Sequence, residues 1–248
     1  QTAASGEYEK TLSTQMGNPD TAPTIFQING PVGYQNWKDY CADLSGTELY
    51  SLLSDKSLAV KDGEGVFGVP YAVEGFGIIY NNAIMEKYFN SDKKKTEYKS
   101  IDEINTFDKL KAVVEDMTKH KSELGIDGVF ASTSLGSGED WRWTTHLANL
   151  PIYYEYTDKG ISNSDTIDFS YQQNFKNIFD LYINNSCSGV NELAKKTVAN
   201  SMEEFATGKV AMVQNGNWAW SQISGVKGNK VKSEDIKMLP IYIGVEGE

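Results

Sequence analysis

Two tryptophans of this sequence stand beside short polar side chains. Asp140 directly precedes Trp141, and Asn215 and Asn217 lie just before Trp218. An indole stacks well on the C–H face of a sugar ring, while amides and carboxylates can fix its hydroxyl groups. This combination favours a carbohydrate ligand. A phosphate ligand would call for a glycine-rich loop with Lys or Ser/Thr, and the sequence contains no P-loop.

Three further polar residues lie beside apolar runs. Glu74 is an acid within Val69–Gly75, a run too apolar for an ordinary surface. Gln27 and Asn29 lie at the end of the predicted strand Thr24–Ile28. Polar groups at the ends of buried strands are typical of ligand sites in α/β proteins. The predicted ligand-binding residues are Gln27, Asn29, Glu74, Asp140, Trp141, Asn215, Asn217 and Trp218.

Several of these features have a plainer structural interpretation. Glu74 could be a hydrogen-bonded structural carboxylate, and Asp140 an acid favoured by the dipole of a first helical turn. Trp143 shares a helical face with two leucines, so we predict that it packs in the core, and we predict the same for Trp220. His146 has no second histidine at metal-ligand spacing, which predicts a packed or surface histidine.

Composition argues against several function classes. The formal net charge of −11 repels phosphate backbones, and Lys93–Lys95 is the one short basic run, so nucleic acid is not an expected partner. Cys41 and Cys187 form no metal-binding motif, and we predict two unpaired, partly buried thiols. We predict no metal, no cofactor and no catalytic residue. No apolar run reaches the roughly 18 residues of a membrane span.

Strand-like and amphipathic segments alternate along the chain, which predicts an α/β fold of mostly parallel sheets with flanking helices. The predicted strands are Thr24–Ile28, Phe76–Tyr80, Gly128–Ser132, Lys209–Gln214 and Ile236–Leu239, with a hairpin over Leu58–Pro70. The predicted helices cover Ser5–Met16, Tyr34–Leu44, Glu48–Leu53, Ala83–Phe89, a segment capped by Thr106, Glu139–Leu150, a segment around Phe175–Tyr182, a segment with a capping box at Ser201–Glu204 and an end at Gly208, and Trp218–Ile223.

Two long segments, Phe67–Asn81 and Ser201–Trp220, resemble the bacterial extracellular solute-binding proteins of ABC importers, in particular the carbohydrate-binding, maltose-binding-protein-like group. Shorter matches support the resemblance at Gly17–Phe26, Thr106–Leu110 and Lys237–Pro240.

The resemblance implies a type II periplasmic-binding-protein fold of two α/β lobes that close around the ligand. It assigns residues 1–73 to part of the first lobe, 74–240 to the second lobe and 241–248 to the start of a return crossing. Family members begin before the point matching Gln1 and continue beyond Glu248. We therefore expect a chain truncated at both ends, with an incomplete first lobe that is less stable than the second.

The resemblance also implies a function without catalysis: capture of a sugar or oligosaccharide and its delivery to an ABC permease. It implies an extracytoplasmic monomer, lipid-anchored through a segment absent from this chain. Glu74 matches a hinge-region acid that binds sugar hydroxyls, Trp218 matches a stacking indole, and Asp140 and Trp141 lie at or beside another aromatic contact. The residue at Gln27 departs from the maltose-binding pattern, which puts a maltodextrin ligand in doubt.

Two alternatives stay open at this point. A sensory module that reports to a kinase could share the fold. A glycoside hydrolase would use two carboxylates, for which Glu74 and Asp140 could be offered, although neither lies in a recognisable catalytic motif.

Overall fold

Residues 7–132 and 134–248 are described by a computed structural model, in which the chain divides between Val73 and Glu74. The first unit, Gln1–Val73, contains three α-helices, two short 3₁₀ turns and a hairpin in its described part. These are α1 (Tyr8–Met16), α2 (Gly30–Trp37), a 3₁₀ turn at Lys38–Tyr40, α3 (Glu48–Ser51), a 3₁₀ turn at Lys56–Leu58, β1 (Val60–Asp62) and β2 (Gly65–Gly68).

The hairpin predicted around the Asp-Gly pair is confirmed. Strands β1 and β2 pair antiparallel, with Asp62 opposite Gly65. Gly63 adopts a φ of 56° in the connecting turn, a conformation that glycine reaches without a steric penalty.

The strand predicted over Thr24–Ile28 is wrong. No described strand pairs with this segment, and the side chain of Ile25 is 90% exposed. The Tyr8 hydroxyl takes the place of a neighbouring strand: it donates to the carbonyl of Gln27 at 2.8 Å and accepts from the Gln27 N–H at 2.7 Å. Phe26 and Ile28 are apolar because they pack against a small core around α1 and Trp37.

Two helix predictions in the first unit need adjustment. Helix α2 begins at Gly30 rather than Tyr34, because Pro31 in its first turn has a backbone φ already suited to a helix. The helix ends at Trp37 and tightens into the 3₁₀ turn at Lys38–Tyr40, short of the predicted Leu44. Helix α1 begins at Tyr8, and the predicted start at Ser5 lies outside the described residues.

The second unit, Glu74–Glu248, contains one four-stranded sheet and eight α-helices in its described part. Its strands are β3 (Phe76–Asn81), β4 (Gly128–Phe130), β5 (Val210–Gly216) and β6 (Ile236–Leu239). Its helices are α4 (Asn82–Phe89), α5 (Phe107–Lys119), α6 (Lys121–Leu124), α7 (Asn149–Lys159), α8 (Gln172–Asn184), α9 (Val190–Leu193), α10 (Val198–Ala206) and α11 (Ala219–Ser224). A π-helix at Arg142–Ala148 precedes α7, and 3₁₀ turns lie at Ile101–Glu103 and Ser233–Asp235.

The strand order in the sheet is β4-β5-β3-β6, and the sheet corrects one prediction. Strands β4 and β5 run parallel, as their helical crossover requires. Strand β3 lies between β5 and β6 and runs antiparallel to both. The alternation of strands and helices identifies the α/β class correctly, but it does not fix the direction of β3, so "mostly parallel" is wrong for the described strands.

Side chains of the sheet alternate between two cores. Ile78 and Met212 face a large core that also contains α5 and α8, whereas Ile79 and Val213 face a smaller core with α10 and α11. Helices therefore cover both faces of the sheet. Apolar surface buried on each face stabilises the folded state by roughly 25 cal/mol per Å². The sheet is therefore the structural centre of the second unit.

One predicted helix cap is confirmed and one is misplaced. Thr106 accepts a hydrogen bond from the N–H of Lys109 at the start of α5. Helix α10 begins at Val198, where Thr197 and Asn200 form the capping box. Ser201 is instead buried inside that helix. Its hydroxyl donates to the carbonyl of Ser132 at 2.6 Å rather than capping the helix.

The predictions for two tryptophans and for the two cysteines can also be compared with the structure. Trp143 is buried in the large core, as predicted. Trp220 is 52% exposed, so its predicted core role is wrong: it lies on the solvent side of α11, whose buried face is made by Ala219 and Ile223. Cys41 and Cys187 are free and partly buried, as predicted.

No helix within residues 7–132 and 134–248 is both long enough and apolar enough to cross a membrane.

Candidate functional site

The start of β3 and the end of β5 meet at one edge of the sheet of the second unit. Phe76 pairs directly with Gly216, and the N–H of Asn217 donates to the carbonyl of Gly75 at 2.9 Å. Since β4 runs parallel to β5, the chain after Phe130 also leaves the sheet at this edge. Three chain segments therefore converge where α/β sheets commonly bind ligands.

The segment that follows β4 reaches the site through a turn and a π-helix. The predicted helix Glu139–Leu150 begins later than expected: Asp140 lies in the turn, and its carbonyl accepts the N–H of Trp143 at 2.9 Å and of Thr144 at 3.0 Å. From Arg142 to Ala148 the backbone is π-helical, and it then continues into α7. π-Helical turns are rare and occur frequently at functional sites.

Four rings lie together at this edge, and we call Phe76, Trp141, His146 and Trp218 the aromatic cluster. The imidazole of His146 stacks on Phe76, with ring centroids 4.1 Å apart and planes at 7°. Trp141 stands nearly perpendicular to His146 at 5.3 Å. Trp218 lies 5.7 Å from His146 and 6.3 Å from Trp141, and the two indole planes are inclined by 31°.

The aromatic cluster has a buried side and an open side. His146 is only 2% exposed, whereas Phe76 is 43% and Trp141 42% exposed, and Trp218 is partly buried. Exposed aromatic surface of this extent is unfavourable in water unless a ligand or partner covers it. The open side is therefore a surface suited to stacking.

The buried side is electrically neutral at its centre. The side-chain amide of Gln214 is hydrogen-bonded to the imidazole of His146, with Nε2 and Nδ1 at 2.9 Å. Burial among the rings lowers the pKa of His146 to about 4, despite the Gln214 hydrogen bond and with a smaller repulsion from Arg142. His146 is thus uncharged at neutral pH.

A buried guanidinium lies beneath one indole. The Cζ atom of Arg142 lies 4.1 Å from the centroid of the Trp141 ring, and Nε donates to Oδ1 of Asn215 at 3.1 Å. Burial lowers the pKa of Arg142, an effect that attraction to Glu139 opposes. A guanidinium over an aromatic face is stabilised by the ring quadrupole.

Trp218 rests directly on the backbone of the sheet. A Cβ atom added to Gly216 would lie 2.2 Å from two carbon atoms of the Trp218 ring. Only a glycine leaves room for this ring position.

Residues 1–245 match the profile of the family described as bacterial extracellular solute-binding protein. The chain belongs to that family. The family is extracellular, which places this solute-binding protein outside the cytoplasm.

Solved structures share the fold of this solute-binding protein. RafE from Streptococcus pneumoniae is 18% identical, with a TM-score of 0.65 over 100% of this chain and 60% of its own. The GacH receptor of Streptomyces glaucescens, solved unliganded and with acarbose, is 20% identical, with a TM-score of 0.65 over 99% and 58%. A Bacillus licheniformis sugar transporter in complex with stachyose is 19% identical, with a TM-score of 0.59 over 97% and 59%.

This solute-binding protein therefore spans about 60% of the length of the solved proteins that it matches. Comparison with curated proteins gives no significant match. At these identities the solved structures establish the two-lobed α/β class of fold.

The structure brings part of the predicted site together. Trp141 and Trp218 share the aromatic cluster, and Asn217 is exposed beside it. Asp140 is exposed in the turn before Trp141, and Glu74 is exposed two residues before Phe76, ahead of β3 rather than after a strand. Gln27 and Asn29 belong to the first unit, where they lie between α1 and α2. The ligand contacts of all eight residues stay predictions.

Asn215 occupies a supporting position. Its side chain is fully buried within β5, and Oδ1 accepts from Arg142 Nε and from the N–H of Gly216. Its Nδ2 donates to Oε1 of Gln222 at 3.3 Å. These bonds occupy the amide, so Asn215 supports neighbouring side chains in this structure.

The sequence patterns did not identify every residue of this site. Phe76, Arg142 and Gln214 were not selected, and His146 was interpreted as a packed or surface residue, which is confirmed by its burial. The adjacency of Arg142 to Trp141 is a usable signal, because guanidinium groups often stack on neighbouring indoles. Phe76 gave no such signal, since an aromatic residue at a strand start is usually core.

Proposed function

We propose that this protein binds a sugar or oligosaccharide on the aromatic cluster and delivers it to the permease of an ABC importer. The observation behind the proposal is the pair of indoles, the exposed Trp141 and the partly buried Trp218, whose ring centroids lie 6.3 Å apart. Sugar rings present flat C–H faces that stack on such indoles.

The polar residues around the cluster support this ligand class. Asp140 and Asn217 are exposed next to Trp141 and Trp218, and Glu74 is exposed close to Phe76 in the chain. Carboxylates and amides fix hydroxyl positions, and a few such groups set the orientation of a ligand on an apolar surface. The proposed contacts thus combine stacking and hydroxyl recognition.

The similar structures support the same ligand class. Raffinose, acarbose and stachyose are named with RafE, the GacH receptor and the Bacillus licheniformis transporter. We extend this to the present chain as a proposal, because the proteins share the fold and the chain carries its own stacking surface.

The proposed role is binding without catalysis. His146, the one titratable ring of the cluster, is stacked on Phe76 and hydrogen-bonded to Gln214, an arrangement that suits a wall of the site better than proton transfer. The family is described by solute binding rather than by a reaction. Incubation with raffinose and stachyose should therefore return both sugars intact on chromatography.

Several finer predictions belong to the same proposal. Residues 1–73 would form part of the first lobe of the family fold, 74–240 its second lobe and 241–248 the start of a return crossing. We propose a monomer, anchored by lipid to the cell surface. Gln27 and Asn29 would add ligand contacts from the first lobe.

The decisive experiment is a thermal-shift screen followed by calorimetric titration. The panel contains raffinose, stachyose, maltotriose and xylotriose, with single amino acids and a tripeptide as controls. A ligand that binds only the native state at 100 times its Kd adds about 2.7 kcal/mol to the free energy of unfolding, which raises Tm by several degrees.

A rise in Tm with at least one saccharide and none with the controls would support the proposal and name the sugar class. A rise with an amino acid or the tripeptide, and none with any saccharide, would overturn it while leaving the fold unchanged.

A further inference from the structure

Arg142 is the only arginine among the 248 residues, and every other basic side chain apart from the two histidines is a lysine. Its side chain is only 7% exposed, and no carboxylate of the described residues lies within ion-pair distance of it. Burying a cation without a carboxylate partner is costly. Other contacts must therefore stabilise the buried guanidinium.

The planar group of Arg142 has two contacts that a lysine could not make together. Its Cζ atom lies over the Trp141 ring, 4.1 Å from the ring centroid, and Nε donates to Oδ1 of Asn215 at 3.1 Å. Arginine offers a flat fork that can stack and donate simultaneously, whereas lysine offers a compact point charge on a flexible stem.

The anchor of this arrangement is the central strand of the sheet. Asn215 lies in β5, is fully buried, and is held by Gln222 and by the N–H of Gly216. The hydrogen bond to Asn215 therefore ties the guanidinium of Arg142 to the core. Trp141 lies at the N-terminal end of the π-helix, and its side chain, which is 42% exposed, contacts the guanidinium directly.

One face of the Trp141 indole is occupied by this guanidinium. His146 and Trp218 also border this ring, at centroid distances of 5.3 Å and 6.3 Å. A ligand that stacks on Trp141 therefore cannot use the face that Arg142 covers.

We propose that Arg142 is a positioning residue, which holds the Trp141 indole in place through the Asn215 anchor and excludes a sugar ring from the indole face that it covers. This inference rests on the proposed function for its ligand, but the positioning itself is a property of the free protein. It also predicts that charge alone is insufficient and that a planar group is needed at this position.

The test compares R142K and R142M with the control T145A in the full chain. Thr145 is exposed on the same π-helix, so T145A checks for general effects of substitution there. The first readout is the indole N–H resonance of Trp141 in the free protein, assigned by its loss in W141F. We expect both Arg142 variants to shift or broaden this resonance and T145A to leave it unchanged.

The second readout is a double-mutant cycle for affinity toward the best-binding saccharide of the panel. We expect R142K and R142M each to weaken binding by about tenfold in the wild-type background, the order of a cation–π contact and its geometry. In the W141A background the same substitutions should have no further effect, because the ring that Arg142 positions is gone.

An unchanged Trp141 resonance in R142M, or an equal loss of affinity with and without Trp141, would overturn the positioning role. Full rescue by R142K would also overturn it, since lysine keeps the charge and loses the planar group. If the wild-type protein bound no saccharide, the proposed function would fail, while the resonance of the free protein would still decide the role of Arg142. Should R142M prove unstable in a thermal melt, R142K supplies the same comparison.

Discussion

Gly216 and Trp218 are in contact across a single intervening residue, with the indole of Trp218 lying on the backbone of Gly216. A Cβ atom at Gly216 would lie 2.2 Å from the ring, and real Cβ contacts are essentially never this short. The indole of Trp218 therefore packs on the end of the buried strand β5. The position of this indole depends on the absence of a side chain beneath it.

G216A should displace the Trp218 ring and weaken saccharide binding by at least tenfold, while the sheet stays folded because the added methyl group meets a side chain rather than a strand. Calorimetric titration measures the affinity, and near-ultraviolet circular dichroism follows the indoles. G189A is the control, since no atom lies within 4 Å of a Cβ at Gly189. Equal affinities in G216A and wild type would show that the ring position is irrelevant to binding.

W218A should weaken saccharide binding at least tenfold, because it removes a stacking partner worth about 1.4 kcal/mol or more. The matched control is W220A, which removes an equally large indole from the exposed side of α11, outside the aromatic cluster. Both affinities are measured by titration with the saccharide that raises Tm most. A similar loss in both variants would contradict the role assigned to Trp218.

Protonation of His146 should make the protein less stable in mild acid. The folded-state pKa is about 4 and the ordinary value 6.5, so the unfolded chain takes up the proton first as the pH falls. The stability contribution is fully present above pH 6.5 and declines toward pH 4.5, by about 2 to 3 kcal/mol. Glu155, with a pKa lowered to about 2, adds a separate loss only below its ordinary value of 4.5.

Chemical denaturation at a series of pH values between 6.5 and 4.5 measures this decline. H146Q should be less stable than wild type at neutral pH and should show a flatter dependence on pH in this window. A parallel decline in H146Q and wild type would rule out His146 as its source.

Y182F should stabilise the protein or leave it unchanged. The Tyr182 hydroxyl is buried and has no hydrogen-bond partner among residues 7–132 and 134–248, so its removal relieves the cost of an unpaired buried polar group, about 1 to 3 kcal/mol. The contrasting variant is Y88F, because the Tyr88 hydroxyl donates to Asp116 at 2.9 Å and accepts from Thr96 at 2.8 Å.

Y88F should therefore lower the free energy of unfolding, by about 1 to 3 kcal/mol. Urea denaturation of both variants measures the difference. Clear destabilisation of Y182F would indicate an ordered water bound to its hydroxyl in the wild-type protein.

Local patterns were sufficient for the elements that depend on local interactions. The helix capped by Thr106 buries Leu110, Val113 and Met117 as its spacing predicts, and the Asp-Gly turn forms its hairpin. The strand predicted over Thr24–Ile28 failed because its pairing partner is a tyrosine hydroxyl from α1, an interaction that no local pattern encodes.

The site was predictable to a similar degree. Indoles near the ends of β4 and β5 could be placed at one edge of a sheet, and Trp141 and Trp218 do meet there. The roles of Phe76 and Asn215 depended on the direction of β3 and on which side chains the sheet buries. Both are tertiary properties, since the same short apolar strand can run either way in a mixed sheet.

The π-helix before α7 makes this surface open to change by a very small genetic event. Deleting one codon between Arg142 and Ala148 would restore ordinary α-helical winding and rotate the helical residues before the deletion by about 100° around the helix axis. Trp141 would turn away from Trp218, and Arg142 would lose its hydrogen bond to Asn215. Because Trp143 belongs to the large core, the same rotation would disturb core packing, so the deletion of one residue would couple a new stacking surface to a loss of stability.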